Sequence, residues 1–182
     1  MNNASFFSPE ILELAAQVIT ENAALGRKVV LAESCTGGLV SAALTEIAGS
    51  SAVVESGFVT YSNAAKQKLL CVSPDIIDTF GAVSCACAWA MAQGALKNSD
   101  ADVAVAISGI AGPDGGTAQK PVGLVVFAKA ERDSEEVLAE ERFFAPTTRS
   151  EIRAEAVKVA LELLLPKAAD EEASWDEPGG EA

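Results

Sequence analysis

The sequence predicts a single-domain α/β protein with helices packed on a mixed, mainly parallel sheet. Three observations lead there. Nearly half of the 182 residues are hydrophobic but only 5% are aromatic, and Ala and Val supply much of the rest, which suits small-residue helices close-packed on a Val/Ile sheet. Short apolar runs alternate with segments of helical periodicity. One run, Val103–Ile107, is continuous and of strand length, the pattern of a central strand buried on both faces.

Residues 1–7 read as a loose, flexible arm. Ser8 caps the first helix, Pro9 sits in its first turn, and Ile11, Leu12, Ala15, Val18 and Ile19 form its apolar stripe up to an end near Ala24–Gly26. Val29–Ala32 is the first strand. A glycine-bearing turn leads from it to Leu39, Ala42, Ala43 and Ile47, which recur at helical spacing and close at Ala48-Gly49. Val53–Tyr61 suits a second strand with Gly57 as the site of a bulge. Ser62 or Asn63 caps a short helix carrying Lys66, Lys68, Leu69 and Leu70. Ser73-Pro74-Asp75 opens another that Gly81 terminates, and Ser84 caps a longer one through Leu96.

After Val103–Ile107, the stretch Ser108–Gly116 holds four glycines and a proline and can only be a loop. Gly123–Ala130 and Val137–Phe144 read as a hairpin, the antiparallel part of the sheet. Thr147 or Thr148 caps a last helix through Leu165, with Ile152, Ala156, Val157, Ala160, Leu161 and Leu164 facing inward. The domain thus spans residues 8–166, and the acidic tail 167–182 is expected to be disordered.

Composition excludes several functions. A formal net charge of −13 argues against a nucleic-acid partner, because phosphate backbones are held by clustered Lys and Arg. No apolar run approaches the ~18 residues of a membrane span, and the first residues lack a basic secretory start, so a soluble, cytoplasmic protein with no membrane partner is expected. There is no histidine. A Ser-His-Asp triad, a Cys-His pair and a His-bearing metal site are therefore excluded within this chain, and neither metal nor cofactor is expected. Cys35, Cys71, Cys85 and Cys87 show no CxxC spacing; the last three read as reduced, core-filling thiols, with Cys85 and Cys87 on different sides of one helix.

The stretch Leu31–Gly38, reading LAESCTGG, carries the chemistry. It runs from a strand through a turn into a helix, which brings backbone N–H groups and the Ser34 hydroxyl to a strand end, where a helix N-terminus favours an anion or a developing oxyanion. The plainer alternative is that Ser34 or Thr36 merely caps the helix while Gly37 and Gly38 permit the turn. Without histidine, a serine nucleophile needs another base, and a buried lysine of lowered pKa is the chemical choice. Lys66, at the start of the helix after the second strand, fits, but periodicity does not choose it over Lys68.

The motifs Ala32–Gly38 (AESCTGG), Thr60–Lys66 (TYSNAAK), Gly81–Ser84 (GAVS) and Ser108–Gly116 (SGIAGPDGG) stand in the order seen in the CinA C-terminal-domain family, which the chain resembles over roughly residues 8–165. The family includes nicotinamide-nucleotide amidohydrolases. The resemblance implies a three-layer α/β/α fold and metal-independent deamidation of nicotinamide mononucleotide; an acyl-enzyme is the expected route, and a homo-oligomer of dimer size or larger is expected because closed homo-oligomers are common among such enzymes. It implies Ser34 and Lys66 as the dyad and Tyr61 as an orienting or proton-relaying group. Cys35, Thr36, Gly37, Gly38, Asn63, Ser108, Gly109 and Arg149 become candidate contacts to a small phosphorylated pyridine nucleotide, the oxyanion falling to the N–H of Cys35 or Thr36. Thr147-Thr148 replace a Gly-Asp pair that often precedes the family's arginine. A non-catalytic nucleotide-binding or regulatory module of the same family is the alternative, and a Cys35 nucleophile lacks the histidine it would pair with.

Overall fold

The computed structural model describes residues 5–145 and 148–166. Its elements follow the expected order: α1 Pro9–Ala24, β1 Val29–Glu33, α2 Leu39–Thr45, a 3-10 turn Ser50–Ala52, β2 Val54–Val59, α3 Asn63–Leu70, α4 Pro74–Phe80, α5 Cys85–Lys97, β3 Val103–Gly109, β4 Leu124–Glu131, β5 Leu138–Phe143 and α6 Arg149–Leu164. Expected caps form: Ser8, Ser62, Ser73, Ser84 and Thr148 each accept a backbone N–H from the first turn of their helix. Thr147, the other candidate cap of α6, lies outside the described residues, as do residues 1–4 and the tail from 167 onward.

The strands order as β2-β1-β3-β4-β5. β1 pairs in parallel with both β2 and β3; β4 runs against β3 and β5, so the sheet is mixed with four strands pointing one way. Alternation along the strands divides the core. Val29, Leu31, Val105, Ile107, Val125 and Phe127 face α1, α2 and α6. Val30, Ala32, Ala104, Ala106, Val126 and Ala128 face α4 and α5, completing an α/β/α sandwich. The small residues of this second face let α5, itself rich in Ala, pack close to the sheet. β1 and β3 are buried along their length because each is flanked by strands and covered on both faces.

Three local expectations are corrected. The register slips between Val29 and Val30, where Glu55 is passed over, so the bulge lies there and not at Gly57. Cys71 is not core filler: it is exposed at the left-handed C-cap of α3 (φ 56°), a conformation the turn into Val72 imposes. Of the other two, Cys87 is fully buried and Cys85 half-buried, on different sides of α5. Finally, the N-terminal arm is not wholly loose, since Phe7 packs on the core cluster beneath α1 while Phe6 stays exposed.

Candidate active site

β1 is an interior strand between β2 and β3, and these neighbours carry the site to its end. The Ser34 N–H continues the ladder by donating to the Ile107 carbonyl of β3, and the Thr60 N–H beyond β2 donates to the Glu33 carbonyl. The chain then turns from Thr60 into α3. One turn into that helix Lys66 points back at β1, its Nζ 2.9 Å from Ser34 Oγ and 2.8 Å from the Thr60 carbonyl.

Lys66 is only 1% exposed and, among the described residues, has no carboxylate partner. Burial disfavours its ammonium and lowers its pKa from 10.5; the nearby thiols of Cys87 and Cys35 pull weakly the other way. The Thr60 carbonyl can only accept, so one N–H of a neutral Lys66 is committed to it and the lone pair is left for the Ser34 hydroxyl proton. An arrangement of this kind can chemically serve a serine nucleophile and a lysine base. Lys68, the other lysine periodicity left open, is exposed and lies away from Ser34.

The turn after Ser34 is held from two sides by residues to which sequence reasoning assigned no role. Glu33, fully buried, accepts from the N–H groups of Gly38 (2.9 Å), Val40 (3.2 Å) and Ser41 (2.9 Å) and from the Ser41 hydroxyl (2.7 Å). Arg153 of α6 donates through Nε to the Cys35 carbonyl (3.1 Å) and through Nη2 to that of Thr36 (2.8 Å). An acid ending an apolar strand, and an arginine one turn after Arg149, were the available signals.

Neither Ser34 nor Thr36 caps α2. Gly38 occupies the cap position at φ 96°, where a side chain would be strained, and the Thr36 hydroxyl is buried without a partner among the described residues. The N–H of Gly37 is spent on the Ser34 carbonyl and that of Gly38 on Glu33, so the two glycines shape the turn and offer no N–H to a ligand. Among the described residues, Cys35 and Thr36 alone in this turn keep N–H groups with no acceptor on another residue. The Cys35 side chain is buried, which pushes its thiol up to about 11 and keeps it protonated at neutral pH.

The remaining candidates are brought to the rim or to the supporting frame. Tyr61 is exposed and its hydroxyl accepts from Arg149 (2.7 Å), whose other terminal nitrogen donates to the Gly112 carbonyl (2.6 Å). Tyr61 makes no hydrogen bond to Ser34 or Lys66 in this arrangement and sits beside Arg149. Asn63 is exposed at the first position of α3. The Ser108 hydroxyl donates to the Ala82 carbonyl (2.7 Å), tying the end of β3 to the turn before α5. Lys120 adds a second tie there, donating to the carbonyls of Phe80 and Val83. Gly109 serves close packing, since a Cβ on it would lie 2.9 Å from the Leu124 carbonyl oxygen of β4. Among the described residues no cluster of three or more Cys, Asp or Glu could hold a metal ion, and no helix is long and apolar enough to cross a membrane.

Comparison with known proteins agrees with this fold. The nicotinamide-nucleotide amidohydrolase PncC of Enterobacter agglomerans is 48% identical over 153 residues, covering 84% of this chain and 92% of that protein. A CinA-like protein of Mycolicibacterium vanbaalenii is 52% identical over 139 residues, but there the match covers 76% of this chain and only 32% of the longer relative. The crystal structure of the competence/damage inducible protein CihA from Agrobacterium tumefaciens superposes with a TM-score of 0.86 at 53% identity, covering 88% of this chain and 97% of that one. The family described as CinA C-terminal domain matches residues 11–168, and the chain belongs to it.

Proposed function

We propose that this protein is an amidohydrolase that converts the carboxamide of nicotinamide mononucleotide to a carboxylate, releasing ammonia. One observation carries the chemistry: a buried lysine with no counter-ion among the described residues lies within hydrogen-bond distance of a serine hydroxyl at a strand end. The substrate class is supported by the 48% identity to amidohydrolases of that name, including that of Escherichia coli (strain K12).

Neutral Lys66 takes the Ser34 proton as Oγ attacks the amide carbon. The oxyanion is received by the N–H groups of Cys35 and Thr36, which Glu33 and Arg153 hold in place. Lys66 then returns the proton to the departing ammonia, and water, deprotonated by the same amine, releases the acid and restores Ser34. Arg149 and Tyr61 at the rim are the proposed contacts for the phosphorylated ribose.

Ammonia release from a panel of nicotinamide compounds tests this reading. Turnover of the mononucleotide above nicotinamide and the riboside is expected; no release from any of them contradicts it. Arg149→Ala is expected to raise KM by ~10–100-fold with a smaller change in kcat, because it removes a charge-assisted contact to a part of the substrate that does not react. An unchanged KM would remove Arg149 from the substrate site.

A further inference from the structure

Glu33 is the most completely buried acid next to the site, yet the proton transfers just described do not use it. Its carboxylate gathers the N–H groups of Gly38, Val40 and Ser41 and the Ser41 hydroxyl, and with them fixes the start of α2 to the end of β1. The network continues into β2. Gly57 is paired with Leu31 of β1, and a Cβ on Gly57 would lie 2.5 Å from Ser41 Oγ. The missing side chain therefore makes room for the hydroxyl that Glu33 holds. β2 in turn delivers Thr60, whose carbonyl fixes the Lys66 amine. One buried carboxylate thus links the turn that carries the nucleophile to the strand that anchors the base.

From this connection we infer that Glu33, acting through Ser41 and the space left by Gly57, is a positioning residue for the reaction. It holds Ser34 in line with Lys66 and, by engaging the N–H groups of Gly38, Val40 and Ser41, leaves those of Cys35 and Thr36 as the donors directed to the reacting carbonyl. Glu33 touches no reacting atom. Loss of its network should appear in the chemical step more than in substrate binding, which falls to the rim.

The assignment rests on the amidohydrolase reading, and kinetics with nicotinamide mononucleotide test the two separately. In Glu33→Gln an amide NH2 faces donors that a carboxylate oxygen now accepts. kcat per folded molecule is expected to fall by ~100-fold, the effect of a displacement near 1 Å, while KM changes less than ~3-fold. Ser41→Ala, which removes one of the donors, should cost ~10-fold in kcat with the same invariance of KM. Gly57→Ala should reproduce the Ser41→Ala loss by driving that hydroxyl away. Combined with Ser41→Ala it should add nothing, because the Ser41 Oγ it strikes is then gone and the nearest Ser41 atom, Cβ, lies 3.5 Å away. If the wild type releases ammonia and Glu33→Gln and Ser41→Ala keep its kcat per folded molecule, the assignment is overturned while the activity stands. If Glu33→Gln does not fold, Ser41→Ala and Gly57→Ala decide. If the wild type releases no ammonia, the amidohydrolase reading falls and the assignment falls with it.

Discussion

Ser34→Ala and Lys66→Ala are each expected to lower kcat by ~10³-fold or more, and the double variant to be barely worse than either. The two side chains are 2.9 Å apart and share one proton, so removing either part disables the same transfer. Lys66→Arg is expected to fail as completely, since a guanidinium stays protonated and has no lone pair for the serine proton. Two neighbours provide the contrast. Lys68→Ala should keep most of the activity because Lys68 is exposed away from Ser34. Cys35→Ala should do so too, because it keeps the backbone N–H and removes only a buried thiol whose pKa of about 11 makes it a poor nucleophile at neutral pH. Full turnover by folded Lys66→Arg, or loss with Cys35→Ala and not with Ser34→Ala, would exclude the Ser-Lys mechanism.

The second large effect concerns pH. The proposed mechanism requires a neutral Lys66, so kcat/KM should rise with pH through a single group whose pKa lies below the ordinary 10.5. The same group links pH to stability. In the unfolded chain Lys66 keeps its proton up to about 10.5, whereas in the folded chain burial makes it release the proton sooner. Between the folded and unfolded values the unfolded state carries the extra proton, so the contribution of Lys66 to stability rises with pH in that window and is flat below it. Wild type should therefore gain on Lys66→Met by about 1.4 kcal/mol for each pH unit inside the window, measured by denaturant unfolding from neutral pH toward 10. A difference that does not vary with pH would mean that Lys66 titrates as it does in water, and the base would have to be sought elsewhere.

Local features of the chain were legible because they rest on local rules. Ser8, Ser73 and Ser84 cap their helices because a short hydroxyl before an apolar-periodic run satisfies N–H groups that the helix leaves open. Val103–Ile107 proved to be a central strand because an unbroken apolar run leaves no face for water. The absence of histidine narrowed the chemistry before any fold was known. Gly57 and Cys71 were misread because a bulge depends on the partner strand and a left-handed cap on where the chain must go next.

The site divides along the same line. The residue types at Ser34 and Lys66, in motifs of recognisable order, pointed to a serine and a lysine base while leaving Lys66 and Lys68 open. Folding sets the two apart, because of this pair Lys66 alone is buried, where removal from water alters its proton affinity. Folding also assigned Glu33 and Arg153 to the nucleophile turn, moved Tyr61 to Arg149, and spent the N–H groups of Gly37 and Gly38 within the chain. Periodicity reports which face of an element is apolar, but a hydrogen bond joins particular atoms of residues far apart in the chain. Arg153 meets the carbonyls of Cys35 and Thr36 only after α6 has packed against α2 and β3, and no spacing along the chain encodes that meeting.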